Sequence, residues 1–227
     1  MNKSDKEAII LAPGYIELKR SFNSNEKLDE NFKDQIKKLN DGSPNYEVYS
    51  KRVQELFKLN EIKPNEIQRN FLAGFIEGEG SISISIKKNK NAKFGVEIDP
   101  VFNITQHING VNHLYNALQV FQTGRIRYKN ESNATLVFII EPRKSLTEKV
   151  LPFYEKYVYP FSSPAKKARF DTFKKMLELF NDNAHLDKER FINELLPLWD
   201  SMRVQHFEGQ TFSDLKEAQD FVRNFKK

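Results

Sequence analysis

Two carboxylates, Glu77 and Glu79, stand two residues apart where an apolar helical pattern gives way to a strand. The surrounding stretch, Phe71–Lys88, reads FLAGFIEGEGSISISIKK. A helix C-terminus carries partial negative charge, so each carboxylate there is disfavoured by about 0.3–1 kcal/mol. A bound cation reverses that sign. Mg²⁺ is held through one or two carboxylates together with waters and substrate phosphate oxygens. Glu79 beside the backbone carbonyl of Gly78 meets this need, with Glu77 in a supporting or structural role. Two solvated glutamates at a turn are the alternative reading of the same residues.

A polar strand follows directly. Ser81, Ser83, Ser85 and Lys87 alternate with Ile82, Ile84 and Ile86, the period of a half-buried strand. Asn103 and Thr105 on a second strand, and Arg125, Arg127 and Lys129 on a third, extend the same bias, with Asn89 in the connecting turn. Hydroxyls, amides and guanidinium groups at two-residue spacing suit base edges in the major groove, while lysine mainly neutralises phosphate. Any antiparallel sheet with a solvated face accounts for the same pattern. Charge distribution adds weight to nucleic acid. The chain carries +5, and residues 81–130 hold seven basic and two acidic residues, an excess equal to the whole chain's.

Positioning these groups requires ordered elements. At 227 residues and 39% hydrophobic content the chain can bury a core. It has no cysteine, which excludes disulfides and thiolate metal sites. No apolar run approaches membrane-spanning length, so no membrane partner is expected, and no secretory signal is visible. Residues 1–26 read as irregular. Asn25–Asn40 and Tyr46–Leu59 read as amphipathic helices separated by Asp41-Gly42-Ser43-Pro44. Asn65 and Gln68 form a capping box for a helix whose apolar stripe is Ile67, Phe71, Leu72, Phe75 and Ile76. Strands are expected at Ser81–Lys88, about Gly95–Gln106, Gly124–Lys129 and Ala134–Glu141, with a helix at Gly110–Phe121 between the hairpins. Helices at Ser145–Tyr157, Pro164–Phe180, Leu186–Val204 and Phe212–Lys227 complete the pattern. The fold class is α+β, an α-β-β-α-β-β-α order around a four-stranded antiparallel sheet with extra helices at both ends. The domain division is 1–62, an N-terminal helical extension; 63–204, the core; and 205–227, a C-terminal helix. His107 and His113 lack cysteine partners and read as structural.

Gly74 and Gly78 lie one turn apart, and each costs about 1 kcal/mol against alanine in a helix interior. They clear a stripe on which a second helix could pack closely, and the segment occurs only once. The second helix is then the same one from another copy.

Leu72-Ala73-Gly74-Phe75-Ile76-Glu77-Gly78-Glu79-Gly80 resembles the LAGLIDADG motif of homing endonucleases, with Glu at both acidic positions. Phe94-Gly95, Phe102-Asn103-Ile104-Thr105-Gln106, Gly124-Arg125-Ile126-Arg127 and Pro152-Phe153-Tyr154 are similar to the single-motif enzymes of group I introns in algal chloroplast large ribosomal RNA genes. The resemblance covers roughly Phe71–Met202. It implies a homodimer joined through Ala73, Gly74 and Gly78, and Mg²⁺ or Mn²⁺ held by Glu79 with the Gly78 carbonyl. It further implies a long pseudo-palindromic double-stranded DNA target, cut across the minor groove with short 3′ overhangs to promote intron mobility. Each sheet would cover an adjacent major groove, and the protein would act in the chloroplast. Gln106 matches the polar residue that orients water. Lys166 matches a basic residue at the cut phosphate, with Lys167 one position away. Some members carry Arg four residues after the glutamine; that position is Gly110 here, its role empty or filled by His107 or a water. An intron RNA maturase, or a DNA-binding regulator without metal chemistry, would use the same scaffold.

Overall fold

The computed structural model describes residues 27–203 and 210–226. The expected irregular segment 1–26, Val204 at the end of one expected helix, and Lys227 lie outside them. The chain packs as two units, Met1–Gly80 with Asn103–Ile140 and Ser81–Phe102 with Glu141–Lys227. These boundaries cut across the expected division at 62 and 204. The reason is that the terminal helices are packed into the units and do not stand apart from them.

In the first unit, α1 (Glu30–Lys38) and α2 (Tyr46–Phe57) start at Asp29 and Asn45, whose side chains accept the backbone N–H groups of Phe32 and Val48. Both helices end earlier than expected. α3 (Glu66–Glu79) begins with the anticipated capping box: the Gln68 N–H donates to Asn65 Oδ1 at 3.0 Å and the Asn65 N–H to Gln68 Oε1 at 2.8 Å. Its inward side is Leu72, Ala73 and Ile76. Ile67 and Phe71, expected in the buried stripe, are 78% and 52% exposed. At 100° per residue they share the outward face with Gly74 and Gly78. At Gly80 the helix turns straight into β1 (Gly80–Lys88) with extended backbone. A Cβ there would lie 2.6 Å from the Ile76 carbonyl oxygen, so only glycine permits this abrupt exit.

β2 (Val96–His107) leads through a 3₁₀ turn, Ile108–Gly110, into α4 (Val111–Phe121), then β3 (Arg125–Tyr128) and β4 (Thr135–Ile140). The four strands form an antiparallel sheet in the order β1-β2-β4-β3. β3 and β4 pair with Arg125 opposite Ile139 and Arg127 opposite Val137. Tyr49, Val53 and Phe57 of α2 and Leu114, Leu118 and Phe121 of α4 are buried with Ile126, Leu136 and Phe138. At the outer edge of β3 the Tyr49 hydroxyl accepts the Ile126 N–H at 2.7 Å and donates to the Ile126 carbonyl at 3.2 Å. An edge strand with open backbone groups invites pairing with another chain; here one phenol closes that point.

In the second unit a helical run, α5 (143–161), precedes α6 (Pro164–Asn181), α7 (188–201) and α8 (Leu215–Asn224). The expected helices at Ser145–Tyr157 and Leu186–Val204 are present but irregular. π-helical turns occupy Leu146–Val150, Tyr154–Val158 and Phe191–Leu195. Each lies just ahead of a proline: Pro152, Pro160 and Pro197. Proline cannot donate to the carbonyl four residues back, and its ring presses on that carbonyl. The carbonyls concerned belong to Glu148, Lys156 and Asn193, all inside the widened turns. Arg169 of α6 donates from Nε to the Ile82 carbonyl at 2.9 Å and from Nη1 to the Met202 carbonyl at 3.0 Å, holding the β1 main chain. The C-terminal segment packs against the β1–β2 hairpin. Thr211 Oγ1 donates to the Ile86 carbonyl, Lys88 lies over the rings of Phe212 and Phe221, and Phe225 sits against Gly95.

Candidate active site and nucleic-acid interface

α3 delivers the acidic groups to its own C-terminus. Glu77 is half-buried, while Gly78 and Glu79 are exposed. Glu79 makes no hydrogen bond or ion pair with any described residue. The Gly78 carbonyl lies in the last helical turn, where carbonyls lack intrahelical donors. No group of three or more His, Asp or Glu able to hold a metal occurs among the described residues. Glu79 and the adjacent Gly78 carbonyl are the exposed oxygen donors at this helix end. That donor set fits a hard cation completed by other oxygens, as Mg²⁺ requires.

Gly74 and Gly78 look outward, and a Cβ at either would meet nothing within 4 Å of its own chain. Ala73 differs from expectation. It is 5% exposed and packs inward beside Leu72 and Ile76, because it falls on the buried side of the helix. The outward stripe is Ile67, Phe71, Gly74 and Gly78.

Gln106 ends β2, half-buried, and its Oε1 accepts the His107 N–H at 2.8 Å. Its side chain folds over Gly110: a Cβ on Gly110 would approach Gln106 Cγ to 2.6 Å. Gln106 thus fills the position that a side chain at residue 110 would take. His107 Nδ1 accepts the Asn109 N–H at 3.2 Å and caps the 3₁₀ turn. His113 lies against the rings of Phe71 and Phe75, and burial pushes its pKa down. Each histidine thus has a contact within the protein that accounts for its place.

Lys166 belongs to the second unit, in the first turn of α6, where its N–H donates to Ser163 Oγ. Lys167 turns back, its Nζ 3.5 Å from the Pro160 carbonyl and 5.2 Å from the Tyr159 ring centre.

On the sheet, Ser81, Ser85, Arg127 and Lys129 are exposed, and Ser83, Asn103 and Thr105 half-buried. Arg125 is engaged within the chain. Its Nη1 and Nη2 donate to the carbonyls of Gly124 and Pro44 at 2.9 and 2.8 Å, and its guanidinium lies 4.4 Å from the Tyr49 ring centre. The loop between α1 and α2, invisible to strand periodicity, claims it. Asn89 is likewise engaged: its Oδ1 accepts the Asn91 N–H and its Nδ2 donates to Glu97 at 2.8 Å. Lys87 lies between Glu97 and Asp99, at 3.3 and 2.9 Å. In the sequence these two acids register only as a small debit in net charge. Their signal was positional, since Glu97 and Asp99 fall on the same period-two positions of β2 as Asn103 and Thr105.

No helix among the described residues is long and apolar enough to cross a membrane. The LAGLIDADG endonuclease family model matches residues 72–177. DNA endonuclease I-CeuI of Chlamydomonas moewusii is 51% identical over 208 residues, covering 89% of this chain and 94% of that one. The solved structure of group I intron-encoded homing endonuclease I-CeuI complexed with DNA superimposes with a TM-score of 0.86 at 48% identity, covering 89% of this chain and all of that one. The archaeal intron-encoded homing endonuclease I-Vdi141I complexed with DNA matches with a TM-score of 0.61 at 28% identity, over 70% of this chain and 96% of that one.

Proposed function

The chain belongs to the LAGLIDADG homing endonuclease family, and from that premise we propose that it is a homodimeric, divalent-metal-dependent enzyme that cuts both strands of a long pseudo-palindromic DNA site and leaves short 3′ overhangs. The observation that carries this reading is Glu79: an exposed carboxylate without a partner among the described residues, held at a helix C-terminus whose dipole disfavours it until a cation binds. Glu79 and the Gly78 carbonyl would hold Mg²⁺ or Mn²⁺. When bound, the ion supplies charge stabilisation at phosphorus and a more acidic water.

The protein's own residues do the rest. Two copies of the outward α3 stripe bring two Glu79 side chains to one target, one for each strand. Gln106 presents its amide at the end of β2 to orient the attacking water. Lys166 places an ammonium against the charge on the cut phosphate, with Lys167 one position away. Ser81, Ser83, Ser85, Asn103, Thr105, Arg127 and Lys129 contact the major groove. The intronless allele of the host gene is the target, and the algal source of the 51% identical relative supports a chloroplast setting.

Glu79→Gln should reduce cleavage of the intronless ribosomal DNA in Mg²⁺ by about 10²-fold or more, the scale of losing one charge-stabilising group. Gel-shift affinity in Ca²⁺ should persist. Intact cleavage in the variant would sink the assignment.

A further inference from the structure

The segment 81–130 contains only two acidic residues, and both converge on one lysine. Lys87 Nζ lies 2.9 Å from Asp99 Oδ2 and 3.3 Å from Glu97 Oε2. Asn89 fixes the Glu97 carboxylate from the turn at 2.8 Å. Alternation in β1 and β2 puts all three charged side chains on the faces opposite the buried Ile82, Ile84, Val96 and Ile98. They remain 58%, 36% and 34% exposed for Lys87, Glu97 and Asp99. Arg143, stacked 3.7 Å from the Phe180 ring centre, also acts electrostatically on both carboxylates. Two anions therefore face two cations, and the patch has no positive excess with which to draw phosphate. A net-neutral patch adds little to non-specific affinity, which follows phosphate neutralisation. Its donors and acceptors are instead arranged side by side.

We propose that Lys87, Glu97 and Asp99 form a specificity triad that selects a G·C pair in the major groove, resting on the DNA-cutting reading above. Guanine offers the O6 and N7 acceptors that an ammonium satisfies. Cytosine offers the N4 amino donor that a carboxylate accepts. Lys87 donates to the purine and the carboxylates accept from the pyrimidine, so one pair satisfies both signs of charge. An A·T pair reverses the arrangement: the ammonium placed for guanine O6 meets the adenine N6 donor, and the carboxylates placed for cytosine N4 meet the thymine O4 acceptor and methyl, which is costly in a desolvated groove. Lys87 thereby changes from a phosphate neutraliser to a base-reading group oriented by its acids.

The test is selection of bound duplexes from a randomised library with the wild-type protein, Glu97→Gln, Asp99→Asn and Lys87→Gln at one salt concentration. Circular dichroism melts would verify that each variant folds. The wild type should return a motif in which one G·C pair per half-site loses preference in all three variants, by about 5- to 150-fold, with other positions unchanged. An unchanged motif in the variants, or a uniform rise in affinity across all sequences from carboxylate removal, would overturn the triad and leave the acids as tethers of Lys87. Absence of any motif with the wild type would instead remove the site-specific reading on which the triad rests.

Discussion

Tyr49 uses both sides of one hydroxyl on one residue, Ile126, at the open edge of β3. Replacing it with Phe leaves a buried N–H without an acceptor, so Tyr49→Phe should cost about 1–3 kcal/mol in urea unfolding. Burial pushes this phenol up to about 12 from an ordinary value of 10.0. The unfolded chain loses that proton first, so the contribution is complete below about pH 10 and declines as pH rises through 12, by up to about 3 kcal/mol. That alkaline component should be missing in Tyr49→Phe. Two arginines separate along similar lines. Arg125→Ala should lower the melting temperature, because it removes two hydrogen bonds and a ring contact. Arg127→Ala should weaken DNA binding and relax base preference at the position its guanidinium reads, in a binding-site selection. Periodicity placed both arginines on one face correctly, but it could not register Pro44, whose carbonyl arrives from 81 residues away. The same blindness hid the acids around Lys87: a net count subtracts charges without saying which ones touch.

Among the elements, the junction between α3 and β1 is the least forgiving. Gly80→Ala would push a methyl into the Ile76 carbonyl, and it should destabilise by about 1–3 kcal/mol in equilibrium unfolding, the range for overpacked sites. A result near zero would mean that the helix end relaxes freely. The core order of helices and strands could be read from the sequence because capping residues and alternating isoleucines are local signals. The paired αββ layout needed nothing else. The π turns could not be read in this way. Pro152, Pro160 and Pro197 were visible, but a proline can end a helix, kink it or widen the turn before it. Only packing of the flanking buried residues, such as Val150, Val158 and Leu195, decides among those outcomes. The expected apolar stripe of α3 erred for a related reason. Ile67 and Phe71 are apolar on the outward face, and hydrophobicity alone does not say whether a residue meets its own core or another chain.

For the molecule as a whole, the proposed dimer rests on that outward face. Because Gly78 has open space around it within its own chain, Gly78→Leu should keep the wild-type fold, read from its circular dichroism spectrum. Sedimentation should nevertheless report a monomer for the variant against the proposed dimer for the wild type, and double-strand cleavage should be lost. A dimeric, active Gly78→Leu would place the subunit contact elsewhere. The solitary Glu79 of each chain has a further consequence. If neither copy alone completes the chemistry on both strands, cutting depends on the concentration of pairs, which below the dissociation constant falls with the square of the concentration of chains. A tenfold shortage of protein then costs far more than tenfold in activity. Scarcity itself would act as a safeguard for the genome that houses the enzyme, keeping it silent until enough copies have been made.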